Sequence, residues 1–579
     1  MKSRTSFFNT TVLRKDITRY APVWGLYAIG LFLILFVPNI GWGPEDAAEV
    51  LLESLNAIAP VNAILGIICA LTVFGDLFKT RLCYATHALP LRREGWFLTH
   101  YTAGVLFSFV PNLMLAGLFC ILLRSYWYIA ALWLAVATLS YLFFFGTASF
   151  AAACAGNRLG AAAGYLILNF FALLISWYAE EIYTPLLYGI EFRGDFLELL
   201  MPASRLASAD FLEFTRQPFT VLGAIPEDWI YLTIVAGIGL VFALLALLRY
   251  RKRQLETAGD FLSFLPTKPV FLVIYTLAVG YLFYQIISGF PLLGLFAGLF
   301  IGFFTGKMLL ERTVKVFRGW SFLFWGVLVT AVFLSIGLTA LDPLGATRYV
   351  PDADRVEAMY FYNSTDCYLY EDASEDANRW VITDTAEIAE FCQFHSEVCD
   401  GRYKNTEDGY TSVCLRYQLK NGKTVLRKYL IPVKSPQGEF ARQKLSSWQS
   451  VFHTSDWSNV TANTYQVDLE MNTGEQIAYT EITEPEQILG LIEAIRLDCE
   501  AGNMAQNWSF HDDENVPVWI YVYDSEYYTS IDGNQDMFTS DYVYEHIKVY
   551  NYSLNIFDSC THALAYIESL DLDIEPYEK

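Results

Sequence analysis

Ten cysteines and seven histidines are the residues best able to carry covalent or metal chemistry in this chain. Their spacing favours neither. Six of the cysteines (Cys367, Cys392, Cys399, Cys414, Cys499 and Cys560) fall within residues 345–579. An even number outside a membrane permits up to three disulfides, and buried free thiols fit equally well. No CxxC pair suggests a zinc site. His395, His453, His511, His546 and His562 are scattered, and no Ser/His/Asp or Cys/His arrangement stands out. Acid clusters at Glu371–Asp376, His511–Glu514 and Asp532–Asp536 lack the ligand order of an EF-hand and read as solvated hairpin tips. The stretch Gly302-Phe-Phe-Thr-Gly306-Lys307-Met308 comes near a phosphate-binding loop. Its glycine spacing is one residue short, Met308 stands where Ser or Thr is needed, and no strand precedes it. No catalytic residue, metal or cofactor is therefore expected.

What remains is a mechanical candidate. Leu89-Pro90-Leu91-Arg92-Arg93 sits between two long apolar runs. Pro90 cannot continue a helix, so the loop should break into helical pieces on either side of it. Such a rigid amphipathic element could receive force from a soluble partner. The same residues also suit a positive-inside anchor with a proline turn.

The elements that position this loop are membrane spans. The chain is 54% hydrophobic with a positive mean hydropathy. Nine apolar runs of about 18 residues or more qualify as spans, near 22–38, 60–77, 102–123, 128–149, 159–178, 229–248, 270–287, 291–308 and 320–341. About twenty polar residues precede the first, which is not a cleavable signal. With the N-terminus inside, the cytoplasmic segments and their span ends carry 19 Lys+Arg, and the outer loops carry four. That bias sets the orientation and places residues 345–579 outside. Charge agrees: residues 1–344 hold 23 Lys+Arg and 20 Asp+Glu, whereas residues 345–579 hold 16 and 41. Residues 5–20 read as a short helix in the cytoplasmic interface, with Arg14, Lys15 and Arg19 near lipid phosphates. Gly294, Gly298, Gly302 and Gly306 fall on one face of the eighth span, for packing against a neighbouring span or a second copy. Ionisable residues mid-membrane are nearly absent, which argues against a proton- or ion-coupled carrier and for energy supplied from outside the bilayer.

The Leu89–Arg93 element between the second and third of six spans, following an interfacial helix, resembles the permease subunit of ABC-2-type transporters. The start SRTSFFN, the loop RYRKRQLETAGDF after span six and the acidic tail resemble a bacterial group of these permeases. That group has three additional spans and a C-terminal domain of unknown function. The resemblance covers about residues 1–250. It implies that Leu89, Pro90, Leu91, Arg92 and Arg93 contact a separate cytoplasmic ATPase, and that the permease pairs with itself or a second permease. No nucleic acid is expected among its partners.

Past residue 350 the pattern becomes α+β. Strands are expected at VEAMYFYN, CYLYED, YQVDLEMN, EQIAYTEI, VPVWIYVYD and YNYSLNIF, and as a hairpin around Asn421-Gly422. Helices are expected at 384–398, 484–502 and near 558–570. The order of elements suggests two related subunits.

The expected organisation is a polytopic α-helical membrane protein of about nine spans, N-terminus in and C-terminus out, followed by an α+β extracytoplasmic domain. Its parts are 1–21 (interfacial helix), 22–250 (six-span core), 251–344 (cytoplasmic loop and three further spans) and 345–579 (acidic domain). The expected function is an exporter permease subunit in the bacterial plasma membrane, with ATP hydrolysis on a partner chain. The alternative is a membrane-anchored sensor whose C-terminal domain recognises a ligand such as a cationic peptide. The lack of mid-membrane His, Asp or Glu clusters makes an embedded enzyme a poor third.

Overall fold

The computed structural model describes residues 8–40, 43–88, 91–123, 127–190, 192, 195–209, 227–363, 380–403, 410–450, 464–472, 477–505, 518–524, 552–556, 559–570 and 575–576. It divides into two compact units, residues 1–183 with 192–337, and residues 184–191 with 338–579.

The first unit is helical. Its helices of eight residues or more are α1 (Thr10–Arg19), α2 (Ala21–Leu31), α3 (Pro44–Val73), α4 (Thr80–His87), α5 (Arg93–Leu123), α6 (Trp127–Cys154), α7 (Arg158–Tyr178), α8 (Glu227–Arg251), α9 (Thr267–Ile286), α10 (Pro291–Glu311) and α11 (Gly319–Leu341). Among the described residues, eight helices are long and apolar enough to cross a membrane. An apolar medium offers backbone groups no water, so uninterrupted helices are what such sequences must form.

The first expected span departs from this pattern. Residues 22–38 form α2, then a π turn over Phe32–Phe36 and a 3-10 turn over Val37–Asn39. With α1 they make a pair bent by 60°, which counts as a ninth span only if taken together. Pro22 lacks an N–H and cannot extend α1, so a second helix starts there instead. Two other helices begin well before their apolar windows, α3 at Pro44 and α5 at Arg93.

Packing in this unit depends on close backbone approach. A Cβ on Gly146 of α6 would lie 2.1 Å from the Gly239 carbonyl of α8, so the two helices touch main chain to main chain. Gly294, Gly298, Gly302 and Gly306 all face α9. A Cβ at Gly294 would meet the Phe283 carbonyl at 2.4 Å, and one at Gly298 the Val279 carbonyl at 2.7 Å.

The second unit holds two sheets. β1 (Val356–Asn363), β2 (Tyr410–Leu419) and β3 (Thr424–Pro432) form the first, all antiparallel, in the order β1-β2-β3. Gly422, at φ +77°, turns the β2–β3 hairpin. Ile382 bridges to Met359 on the far side of β1. Helices α12 (Thr385–Gly401) and α13 (Pro436–Leu445) cover this sheet and share its core. Asp384 caps α12 by accepting from the Glu387 amide.

β4 (Thr464–Asn472), β5 (Ile477–Ile482), β6 (Val518–Asp524), β7 (Tyr552–Ile556) and β8 (Glu575–Pro576) form the second, in the order β7-β6-β4-β5-β8. Its helices are α14 (Pro485–Glu500) and α15 (Thr561–Ser569). Apart from β8, the two sheets have one topology: Ile382 stands where β5 stands, β1 where β4 stands, β2 where β6 stands and β3 where β7 stands. The buried face of α12 is Ile388, Phe391, Phe394, His395, Val398 and Cys399; that of α14 is Ile488, Leu491, Ala494, Ile495, Asp498 and Cys499. The patterns coincide position for position.

Helix α13 and strand β8 carry no clear sequence signal and were not expected. The strand CYLYED and the three acid clusters lie outside the described residues. Cys392, Cys399, Cys414, Cys499 and Cys560 are free thiols, and Cys367 lies outside the described residues.

Asp498 is fully buried and accepts from the amides of His562 (3.2 Å) and Ala563 (2.7 Å), the Asn503 side chain and the His562 ring. One carboxylate thus caps the N-terminus of α15 from the end of α14. Asp498→Ala is expected to cost about 1–3 kcal/mol, read as loss of hydrogen-exchange protection confined to α14 and α15.

Candidate functional site

Of the five loop residues singled out in the sequence, Leu89 and Pro90 lie outside the described residues. Leu91 is half-buried, Arg92 exposed and Arg93 half-buried at the start of α5. Arg93 is drawn inward because its Nη1 donates to the carbonyls of Arg251 (3.0 Å) and Arg253 (2.9 Å), just past the end of α8. Glu94, in the first turn of α5, pairs with Arg251 at 2.9 Å. Consecutive residues 93 and 94 therefore fasten the start of α5 to the chain leaving α8.

The preceding helix, α4, is tied to the same place. His87 Nδ1 lies 2.7 Å from the Cys83 carbonyl, which can only accept, so the ring proton sits on Nδ1. Nε2 then accepts from the Tyr250 hydroxyl at 2.8 Å. Burial, with the charges of Arg93 and Arg253 adding to it, depresses the His87 pKa and keeps the imidazole neutral. Trp96 stacks on Tyr250 with ring centroids 5.2 Å apart. Thr86, His87, Leu91, Arg93, Trp96, Tyr250 and Leu255 line a cavity of about 230 Å³.

Beneath it sits Arg253, 2% exposed. Its Nη1 donates to the carbonyls of Ala152 (3.1 Å) and Ala153 (3.4 Å), and its Nη2 to that of Leu77 (3.2 Å). Two of those carbonyls end α6, where the helix dipole is negative. Burial lowers the pKa of Arg253, yet guanidinium remains charged throughout the usual pH range.

The segment that follows docks on the α6–α7 turn. Gly259 donates to the Gly156 carbonyl at 2.7 Å, Ser263 to the Cys154 carbonyl at 2.9 Å, and Ala155 and Leu262 form an antiparallel bridge. A Cβ on Gly160 would sit 1.8 Å from the Phe261 carbonyl, so only glycine allows the approach. On the other side α1 packs against α5. Asp16 and His100 are both buried and meet at 2.6 Å, and Arg19 approaches Asp76 at 3.8 Å.

Four stretches separated widely in sequence (10–19, 76–88 with 91–100, 152–160 and 249–263) thus form one bonded platform at one end of the helices. It has the parts of a lever seat: α4 and the start of α5 carry charged and aromatic groups and are bonded to residues 249–263, and these are bonded in turn to the end of α6. Cys83 Sγ lies 3.9 Å from His87 Nδ1, but the thiol is buried and burial raises its pKa, and among the described residues no group of three His, Cys, Asp or Glu could hold a metal. Sequence reading counted Arg249, Arg251 and Arg253 together as loop cations and assigned no role to His87, Trp96 or Tyr250. Nothing local distinguishes buried Arg253 from half-buried Arg249 and exposed Arg251.

A second polar cluster lies in the C-terminal unit and was not found from sequence. His395 of α12 is fully buried, with Nδ1 3.1 Å from the Tyr417 hydroxyl and Nε2 2.8 Å from the Tyr429 hydroxyl. Cys399 Sγ lies 3.4 Å from the same Tyr429 hydroxyl. Burial pushes the His395 pKa down to about 3, and the Arg427 charge adds to this. No protein-family model, curated protein or solved structure matches the chain.

Proposed function

We propose that the chain is the membrane-spanning permease subunit of an ABC-2-type exporter, driven by a separate cytoplasmic ATPase and pairing with itself or a second permease. In this reading it lies in a bacterial plasma membrane with its N-terminus inside and residues 345–579 outside. The observation that carries it is the bonded seat under Leu91–Glu94. A loop meant only to anchor cations in the interface needs no buried arginine clamp and no His–Tyr bond beneath it. A loop that passes force to α5 and α8 does, because slack would dissipate the stroke. The orientation is supported by the 19 against four count of basic residues.

The test is co-purification in mild detergent from the native host. A stoichiometric ATPase should accompany the wild-type chain and be lost from Arg92→Glu/Arg93→Glu. Arg92→Glu alone, which changes an exposed side chain and leaves the Arg93 bonds in place, should lower recovery several-fold while the permease stays monodisperse. An intact complex in both variants would reject the contact. In the alternative, a sensor, residues 345–579 do the work, and removing them would abolish function; an exporter would keep transporting.

A further inference from the structure

The two sheets of the C-terminal unit allow an internal comparison. Met359 pairs with Tyr417 and bridges to Ile382, as Val467 pairs with Val522 and Ile482. Val413 pairs with Tyr429, as Val518 pairs with Ile556. His395 takes the position on α12 that Ile495 takes on α14. The positions that hold His395, Tyr417 and Tyr429 in the first half therefore hold Ile495, Val522 and Ile556 in the second. This architecture closes its core with aliphatic residues, as the buried Ile495 and Ile556 show. A hydrogen-bonded His–Tyr–Tyr cluster is more than the fold requires.

The first half also holds residues 184–190, which belong to the same compact unit. Gly189 accepts from the Lys428 amide at 3.1 Å, extending the sheet past β3. The Tyr188 ring lies 5.2 Å from that of Tyr429, and its hydroxyl accepts from the Tyr403 amide at 3.1 Å. Gly189, at φ +75°, lies so close to Tyr429 that a Cβ there would be 2.1 Å from the ring. The face of Tyr429 is thus the surface on which the segment rests. His395 and Cys399 bind its hydroxyl and hold the ring in that rotamer.

We infer that residues 184–190 are a strap locked into the first half by the Tyr429–His395 pair, through which the C-terminal unit restrains the end of α7. The chain allows this transmission: α7 runs without interruption through a π turn (Ala179–Tyr183) and a 3-10 turn (Thr184–Leu186) into the strap. The inference does not depend on the transport reading.

Hydrogen exchange of the full-length chain in detergent tests it. Gly189→Val should speed exchange of residues 186–190 and of the Lys428 amide at least tenfold, and should raise exchange over Ala179–Tyr183. Gly422→Val strains an equally positive φ in open space, and should leave 179–190 unchanged. Tyr429→Phe keeps the ring and removes only the hydroxyl; it should speed exchange of the strap several-fold with β1 and β2 still protected. The triple variant His395→Ile/Tyr417→Val/Tyr429→Ile, which installs the second half's residues, should fold and free the strap. The strap assignment falls if residues 186–190 keep wild-type protection in Gly189→Val and Tyr429→Phe. The claim that the cluster is surplus to the fold falls if the triple variant loses protection throughout β1–β3. The link to α7 falls if the strap is freed and Ala179–Tyr183 does not respond.

Discussion

Replacing Arg253 with methionine is expected to loosen the whole platform at the loop end of the helical unit, with the largest stability loss of any single substitution there. The guanidinium bonds three carbonyls from two separate segments, Leu77 and Ala152–Ala153, at 3.1–3.4 Å. Methionine matches its length but donates nothing. Each buried carbonyl left without a partner costs about 1–3 kcal/mol. Removing the charge recovers some desolvation energy. That recovery is small here, because the charge already sits at the negative end of α6. The net cost should be about 3 kcal/mol or more. It would be read as a fall of several degrees in the temperature at which the full-length chain loses its monodisperse peak in detergent. Arg253→Lys should recover only part of the loss, since one ammonium cannot span the same three acceptors in plane. A wild-type profile for Arg253→Met would show that the carbonyls find other donors and that the residue is no clamp.

The second large effect is a pH dependence of the C-terminal unit. His395 is neutral when folded, with its pKa lowered to about 3 against the ordinary 6.5. Between those values the unfolded chain binds a proton that the folded chain does not, so stability rises with pH across that window and is flat above it. Falling pH should therefore cost stability from about 6.5 downward, by at most about 1.4 kcal/mol per pH unit from this one group. The comparison to make is wild type against His395→Leu, both full length, following the urea midpoint for loss of exchange protection in β2. The wild-type midpoint should drop more than the variant's between pH 6.5 and pH 4.5. Equal slopes would mean that His395 is not held neutral. Near neutral pH the cluster is a fixed structural lock and does not switch.

Much of the architecture is legible from residue order. The long apolar runs become the helices, Asp384, one of two residues that could cap the helix at 384–398, caps it, and Asn421-Gly422 turns its hairpin. The failures have particular causes. Residues 22–38 are apolar enough for a span, but Pro22, three residues past the end of α1, sets the bend that shortens it. The beginnings of α3 and α5 lie in polar sequence, where helix is favoured by packing against neighbours and not by hydropathy. Of the candidate coupling residues, Arg92 and Arg93 were named from sequence, but what fastens Arg93 was not. Its acceptors are main-chain carbonyls 158 and 160 residues away, which have no residue type to read.

By itself the sequence determined which segments are apolar helices, where the acidic α+β region begins and how positive charge is divided among the loops. These are sums of per-residue properties, and they survive without knowledge of neighbours. Only the tertiary structure decided that Arg253 is a buried clamp and Arg92 an exposed cation, although both looked alike as loop arginines. Only it assigned residues 184–191 to the compact unit of the C-terminal sheets, and set the Tyr188 ring against that of Tyr429, whose hydroxyl meets His395. Both outcomes depend on which distant backbone meets a side chain, and burial then fixes the energetic weight of that meeting.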